Sequence, residues 1–327
     1  MPIDTKQNLM RTRTVSIKKN KKDKVLITGG AGFIGSHLAH LLTKLTYEVV
    51  IIDDLSTGRL ENIPNNARFY QIDIKDPEVK SVIIQEKPKI LFHLAALTDT
   101  TVSEAAIRAD IEVNLIGTIN ILAAASEAKC EKFIFTSTAA VYGNCNHLPI
   151  PEVAALRPIS AYGIGKLACE NYIARFCEFH RMGFTILRYA NVFGPRQFPK
   201  GGSGAIPIFI KKMLTNQTPT IYGDGKQIRD YVYIDDVVSA TLKAMTKGNN
   251  KILNISSGKG TTTRQLYKLI ANVLKFNQPP EFINTRQCEI KKSILANNLA
   301  KKILNWHPKT DLLTGIKKTI DWWQSQK

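Results

Sequence analysis

Apolar residues fall along this chain in two alternating patterns. Short unbroken runs, such as VLI at 25–27, VVII at 49–52 and ILF at 90–92, have the length and make-up of strands buried on both faces. Between them lie longer stretches whose apolar residues recur every three or four positions, the period of a helix with one buried side. Strands are thus predicted at 24–28, 47–53, 67–71, 90–93, 132–136 and 185–188, and helices at about 37–45, 77–85, 102–128 and 160–179. Beyond about residue 189 the alternation loosens. Glycine and proline punctuate FGPRQFPKGGSG, and short strands (220–222, 231–233, 252–255) mix with helices at 205–214, 235–245, 263–274 and 311–323.

Strict strand–helix alternation is the mark of an α/β chain with a doubly wound, Rossmann-type parallel sheet. The looser C-terminal stretch reads as a smaller α+β part closing over the carboxyl ends of the strands, where ligands bind in such folds. The expected division is a disordered basic tail at 1–23, a dinucleotide-binding domain at 24–189, and a mainly substrate-binding part at 190–327 with some segments returning to the sheet.

The first strand runs into Gly29, Gly32 and Gly35, and a helix follows. In such a turn one glycine permits the tight bend, one lets the backbone approach a pyrophosphate, and one lets the helix pack close on the strand, while the helix N-terminus faces the phosphates. Asp53, eighteen positions beyond Gly35, ends the second strand. A carboxylate there accepts from ribose hydroxyls and repels a 2′-phosphate, which points to NAD; Arg59, six residues on, works against that repulsion. Strand, glycines, helix, strand and acid in this order make a dinucleotide site.

Composition narrows the rest. The 327 residues suffice for one large or two modest domains, and 44% hydrophobic content allows a substantial core. No apolar run approaches the roughly 18–20 residues of a membrane span. Five scattered cysteines without CxxC spacing suggest reduced thiols and a cytoplasmic setting. Six histidines form no HxxxH pair or Cys/His cluster, so no metal is expected. The net charge of +18 is concentrated at the ends: residues 1–24 carry eight Lys/Arg against two Asp, and residues 251–327 fourteen Lys/Arg against four Asp/Glu. A basic C-terminal part suits an anionic ligand such as a nucleotide diphosphate, without implying a specific nucleic-acid partner.

YGIGK places Tyr162 and Lys166 four apart on one helix face. A phenol with its ordinary pKa of about 10 is a poor base near neutrality. A neighbouring ammonium and an oxidised nicotinamide both lower that value. Alone, the pair is more often a solvated helix pair, but the strand at 132–136 ends in TSTAAVYG and brings the hydroxyls of Thr136, Ser137 and Thr138 to a carboxyl end of the sheet.

The segments TGGAGFIG (28–35), HLAA (93–96), STAAVYG (137–143), YGIGK (162–166), RYANVFGPRQ (188–197), YGDGKQIRDYVYIDD (222–236), LNISSG (253–258) and LNWHPK (304–309) together resemble the extended short-chain dehydrogenase/reductase family, especially its UDP-hexose 4-epimerases. The resemblance covers about 24–323. It implies that Tyr162 is the acid/base, Lys166 its electrostatic partner and ribose ligand, and Thr138 the assisting hydroxyl. It assigns the cofactor to Gly29, Gly32, Phe33, Ile34 and Gly35 at the turn, to Asp53 and Asp54 at the ribose, and to Asp73 and Ile74 at the adenine. Leu94, Ala95, Ala96, Asn114 and Tyr189 complete that set. Asn191, Arg229 and Arg286 would hold the nucleotide-sugar phosphates, with Glu289 at the ribose end and Ser293 beside the sugar's C2 substituent. His93 is structural in that pattern. The family's C-terminal R-x-G-D appears here as Arg286-Gln287-Cys288-Glu289, a departure in which the acid is longer and a glycine is lost.

What the resemblance implies is NAD-dependent inversion at C4 of a UDP-hexose, plain or N-acetylated, through a transient 4-keto sugar, in a homodimer built on the helices at 102–128 and 160–179. Related enzymes that dehydrate or decarboxylate after the same oxidation need a proton-transferring carboxylate where this chain has Ala139-Ala140. A UDP-glucuronate 4-epimerase stays open, because the basic C-terminal part suits a sugar carboxylate. A non-enzymatic NAD- or nucleic-acid-binding protein is the reading of another class, and it would not require the Thr138, Tyr162 and Lys166 trio.

Overall fold

The computed structural model describes residues 23–98, 100–199, 204–285 and 289–326. The expected tail lies almost wholly outside them, as does Arg286. The N-terminal half builds β1 (Lys24–Thr28), α1 (Phe33–Lys44), β2 (Glu48–Asp53), β3 (Arg68–Gln71), α2 (Glu78–Glu86) and β4 (Ile90–His93). Then come α3 (Thr100–Ala105), α4 (Ile107–Asp110), α5 (Gly117–Glu127), β5 (Lys132–Thr138), α6 (Ala161–His180) and β6 (Gly183–Tyr189). The remainder contributes β7 (Asn191–Phe193), α7 (Ala205–Leu214), β8 (Thr220–Tyr222), β9 (Ile228–Tyr233), α8 (Ile234–Lys243), β10 (Lys251–Ile255), β11 (Gly260–Thr262), α9 (Thr263–Leu274), β12 (Glu281–Ile283), α10 (Asn298–Leu304) and α11 (Leu312–Ser325).

Seven strands form one parallel sheet in the order β3-β2-β1-β4-β5-β6-β10. The chain leaves β1 in both directions, so a crevice opens at the carboxyl ends of β1 and β4, the switch point of a doubly wound sheet. Alternation along each strand makes two cores. Val25, Ile27, Val49, Ile51 and Phe92 face one way, with α1 and α8. Leu26, Val50, Ile52, Leu91 and Phe133 face the other, with α2, α5 and α6. Near-continuous apolar strands are what burial on both faces demands. β10 closes the sheet from deep in the C-terminal half, pairing with β6. The rest of that half forms a three-stranded sheet, β11-β9-β7, and the β8–β12 pair.

One expectation needs correction. The helix predicted over 102–128 is not continuous. It breaks at Ala106, whose backbone leaves the helical region (φ −137°, ψ 62°), and passes through a π-helical segment, Ile111–Ile116, before α5 begins. The wider turn accompanies burial of Asp110 and Asn114, whose side chains bond each other at 2.8 Å. Such insertions often sit beside functional sites, and this one backs the crevice.

Candidate active site

The cradle starts with two glycines that no other residue can replace without displacing backbone. Gly29 has φ +72°, and a Cβ there would sit 2.7 Å from the Ala95 nitrogen. A Cβ on Gly35 would run into the Gly29 carbonyl. The turn is therefore pressed against the chain leaving β4, and a ligand can approach the bare backbone of Gly29, Gly32 and the first turn of α1.

Behind this turn runs a chain of buried polar groups. Thr118 donates to the Asn114 carbonyl at 2.5 Å, so its oxygen accepts the Nε2–H of His93 at 2.9 Å. His93 Nδ1 then accepts from Thr28 Oγ1 at 2.6 Å, and Thr28 accepts from the Ala95 N–H at 3.3 Å. The bond from Thr28 to Nδ1 requires a neutral ring, and full burial pushes the His93 pKa down to about 3. His93 thus fixes the wall at Ala95 and does not face the cleft. Asn114 acts likewise: its amide clamps Leu97 through both backbone groups at 2.8 and 2.9 Å, so it supports the wall and does not line it.

A cleft of about 1250 Å³ extends from this turn into the C-terminal half. Gly29, Gly32, Phe33, Ile34, Gly35, Asp53, Asp54, Asp73, Ile74, Leu94, Ala95, Ala96 and Tyr189 line one stretch of it. Asp53 receives the Ala31 and Leu55 N–H groups, each at 2.9 Å. Burial raises its pKa, and these donors oppose the rise. Lone pairs remain for a ribose. Asp73 is turned to Lys75, accepting its N–H at 2.9 Å and pairing with its ammonium at 3.2 Å. Bare turn, buried acid and the apolar slot of Ile72, Ile74 and Leu94 fit a dinucleotide.

Thr138, Tyr162 and Lys166 come together in the middle of the cleft. Ser160 caps α6 by accepting the Gly163 N–H at 3.2 Å, which sets the start of the helix carrying the other two. Thr138 accepts the Ala140 N–H at 3.1 Å, which leaves its hydroxyl proton free beside the Tyr162 phenol. Burial pushes that phenol well above its ordinary pKa, and the nearby Thr138 hydroxyl works against the rise. Lys166 donates to the Thr136 carbonyl at 3.0 Å and lies 4.5 Å over the Phe135 ring; burial lowers its pKa to about 8. Phenol and ammonium are both desolvated, so each is sensitive to a charge entering the cleft.

The far end is built on the second sheet. Asn191, Arg229, Tyr231, Ile290 and Ser293 line it. Arg229 does not pair with Asp230. Strand alternation turns Asp230 inward, where it accepts from Ser257 N–H and Oγ–H, Gly258 N–H and Leu295 N–H. Arg229 pairs instead with Glu289 at 3.6 Å. Ser293 is buried on the cleft wall, whereas its neighbours Lys292 and Ile294 do not line the cleft. Arg286 lies outside the described residues. Sequence reasoning assigned no role to Arg196, Gln197, Phe198, Lys211 or Trp323, which also line the cleft. The GPRQ segment carries the first two, but only the fold brings Trp323 there.

Residues 25–256 match the NAD dependent epimerase/dehydratase family. The chain belongs to that family. It is 36% identical to a UDP-glucose 4-epimerase of Mycolicibacterium smegmatis over 93% of this chain and 99% of the relative. Among solved structures, the Thermotoga maritima UDP-glucose 4-epimerase with UDP-glucose superposes with a TM-score of 0.91 at 41% identity, covering 93% of this chain and 99% of its own. A Methanobrevibacter ruminantium UDP-N-acetylglucosamine 4-epimerase in complex with UDP-N-acetylmuramic acid gives 0.88 at 32%, covering 94% and 100%. The family cofactor is NAD, which agrees with the cradle around Asp53.

The neutral ring of His93 makes stability depend on pH. Its folded pKa lies far below the ordinary 6.5, and that of half-buried His37 falls to about 4. The unfolded chain therefore binds protons first as the pH drops. Stability from these rings is intact above about 6.5 and is lost toward 4, at up to about 1.4 kcal/mol per pH unit for each ring. Urea denaturation at pH 7, 6 and 5 reads the loss. The His93→Gln variant is expected to show a shallower slope, and equal slopes in both proteins would contradict the assignment.

Proposed function

We propose that this protein inverts C4 of a UDP-hexose through a 4-keto sugar. The observation that carries the reading is the meeting of Thr138, Tyr162 and Lys166 on the wall of one cleft that also holds the dinucleotide cradle and Arg229. Bound NAD supplies a hydride acceptor that returns the hydride within the same site. Tyr162 takes the C4 hydroxyl proton and later gives it back, and Thr138 shares a hydrogen bond with the same oxygen. Lys166 keeps donors beyond the one it spends on Thr136, and its charge favours the phenolate. Asn191 and Arg229, with Arg286, hold the diphosphate; Glu289 sits at the ribose end.

One feature favours epimerisation over elimination. Ala139 and Ala140 follow Thr138 on the cleft wall, and neither can move a proton. The far end is roomy, with small Ser293 on its wall, so the pocket accepts an acetamido group at C2 as well as a hydroxyl. α6 exposes Ile164, Tyr172 and Phe179 at 57%, 54% and 73%, and the adjoining π-helical segment exposes Ile111 and Ile116. This apolar face supports a homodimer through a second copy of the same helices. No described helix is long and apolar enough to cross a membrane. The unpaired thiols of Cys130, Cys145, Cys169 and Cys177 support a cytoplasmic setting.

Incubation with a panel of UDP-sugars is expected to yield C4 epimers, and Tyr162→Phe is expected to lower kcat by about 10²–10⁴-fold while NAD stays bound. A near-normal rate in that variant removes Tyr162 from the chemistry. Ser293→Tyr is expected to suppress turnover of UDP-N-acetylglucosamine while largely sparing UDP-glucose. Failure of the unaltered enzyme to epimerise the acetamido sugar would end the open-pocket reading. Sedimentation velocity at micromolar concentration is expected to give a dimer; a monomer there counts against the α6 interface.

A further inference from the structure

Asp53 and Arg59 straddle one residue of the glycine-rich turn. Ala31 donates its N–H to Asp53 Oδ2 at 2.9 Å, and its carbonyl accepts the Arg59 N–H at 3.1 Å. A Cβ on the intervening Gly58 would lie 2.6 Å from Asp53 Oδ1, so the loop folds directly back on the carboxylate. The Arg59 carbonyl in turn accepts the Asn62 N–H at 3.0 Å. The arginine backbone is thereby pinned beside the acid, and only its side chain decides where the charge goes. An arginine here is the residue type that accommodates a 2′-phosphate, and the acid is the type that rejects one.

The guanidinium is held elsewhere. Its Cζ lies 3.5 Å over the ring of Phe198, and Nη1 reaches Glu61 at 3.0 Å. The Glu61 pair is solvent-exposed, at 44% and 69%, and holds little. The stack is better supported, because Phe198 is itself braced edge-on by Trp322 and Trp323, both at 5.6 Å. Phe198 comes from the loop after β7 and the tryptophans from α11, so the holding ring belongs to the C-terminal half of the chain. We propose that Phe198 is a cofactor-selectivity residue: by capturing the Arg59 guanidinium it keeps that cation from a 2′-phosphate and leaves Asp53 to select NAD over NADP.

The inference rests on the dinucleotide cradle and on no step of the sugar chemistry, so binding tests it independently of turnover. Dissociation constants for NAD and NADP are measured by titration calorimetry on the whole chain and on Phe198→Ala, Phe198→Leu and the double variant Phe198→Ala/Arg59→Ala. Leucine keeps apolar bulk against the tryptophans while removing the π face, which guards against a variant that fails to fold. Both single variants are expected to shift the NADP-to-NAD affinity ratio toward NADP by about tenfold, the scale of a lost cation–π contact. The double variant is expected to return to the original ratio. An unchanged ratio in both single variants, or a shift that survives loss of Arg59, overturns the proposal. Failure of the unaltered protein to bind either dinucleotide would instead strike at the cradle itself.

Discussion

A buried ion pair holds the active site in register. Glu170 and Arg188 are each 2% exposed and meet at 2.6 Å between Nη2 and Oε2, with Nε adding a bond at 2.9 Å to Oε1. Isolating two charges from water costs several kcal/mol each, and only a fully satisfied pair recovers it. Here the remaining sites are filled. Ser137 donates to Glu170 at 2.5 Å, and Arg188 donates to the Tyr142 hydroxyl and the Glu152 carbonyl. Tyr142 passes the bond on to Asn254 of β10. The pair therefore ties β5, α6, β6, β10 and the segment after β5. Ser137 precedes Thr138, and Glu170 lies one turn beyond Lys166. The same bonds that satisfy the charges set the distance between the strand end and the helix carrying Tyr162.

That rigidity gives the desolvated pair its chemical meaning. Burial holds Tyr162 protonated and weakens the hold of Lys166 on its proton. Neither shift alone favours a phenolate. A positive charge brought beside the phenol would favour its ionised form, so both groups are sensitive to what occupies the cradle. Because the groups are fixed by β5 and α6, no side-chain reorganisation need accompany that change.

Much of this was legible in the sequence, because buried parallel strands and glycine turns leave strong local signals. β1, β4, α7, β8 and α9 fall where the apolar pattern puts them. β7, β11 and β12, of three residues each, are not marked separately by the pattern, and α10 is a seven-residue piece. The break at Ala106 and the π-helical turn were invisible because their cause is tertiary: Asp110, Asn114 and Thr118 turn inward to one another and to His93. Asn114 and His93 illustrate the same limit. The resemblance names them, but only the fold reveals that they brace Leu97 and Ala95 from behind. Trp323 and Phe198 reach the cleft by long-range packing that no local pattern records.

The substrate end follows from strand alternation carried to a charged position. In β9, Arg229 and Asp230 point to opposite faces, so one dipeptide supplies a cation to the cleft and an anchor to the frame. Asp230 pulls in Ser257, Gly258 and Leu295, and burial still raises its pKa to about 6. Ser293 donates its N–H to the Ile228 carbonyl at 3.0 Å, two residues from the Leu295 contact. The segment carrying Ser293 is therefore laid along β9 in a fixed register, with one residue facing the cleft and the next facing away. A slip of one residue would expose Leu295 and bury Lys292, so the pairing holds Ser293 to the cleft wall.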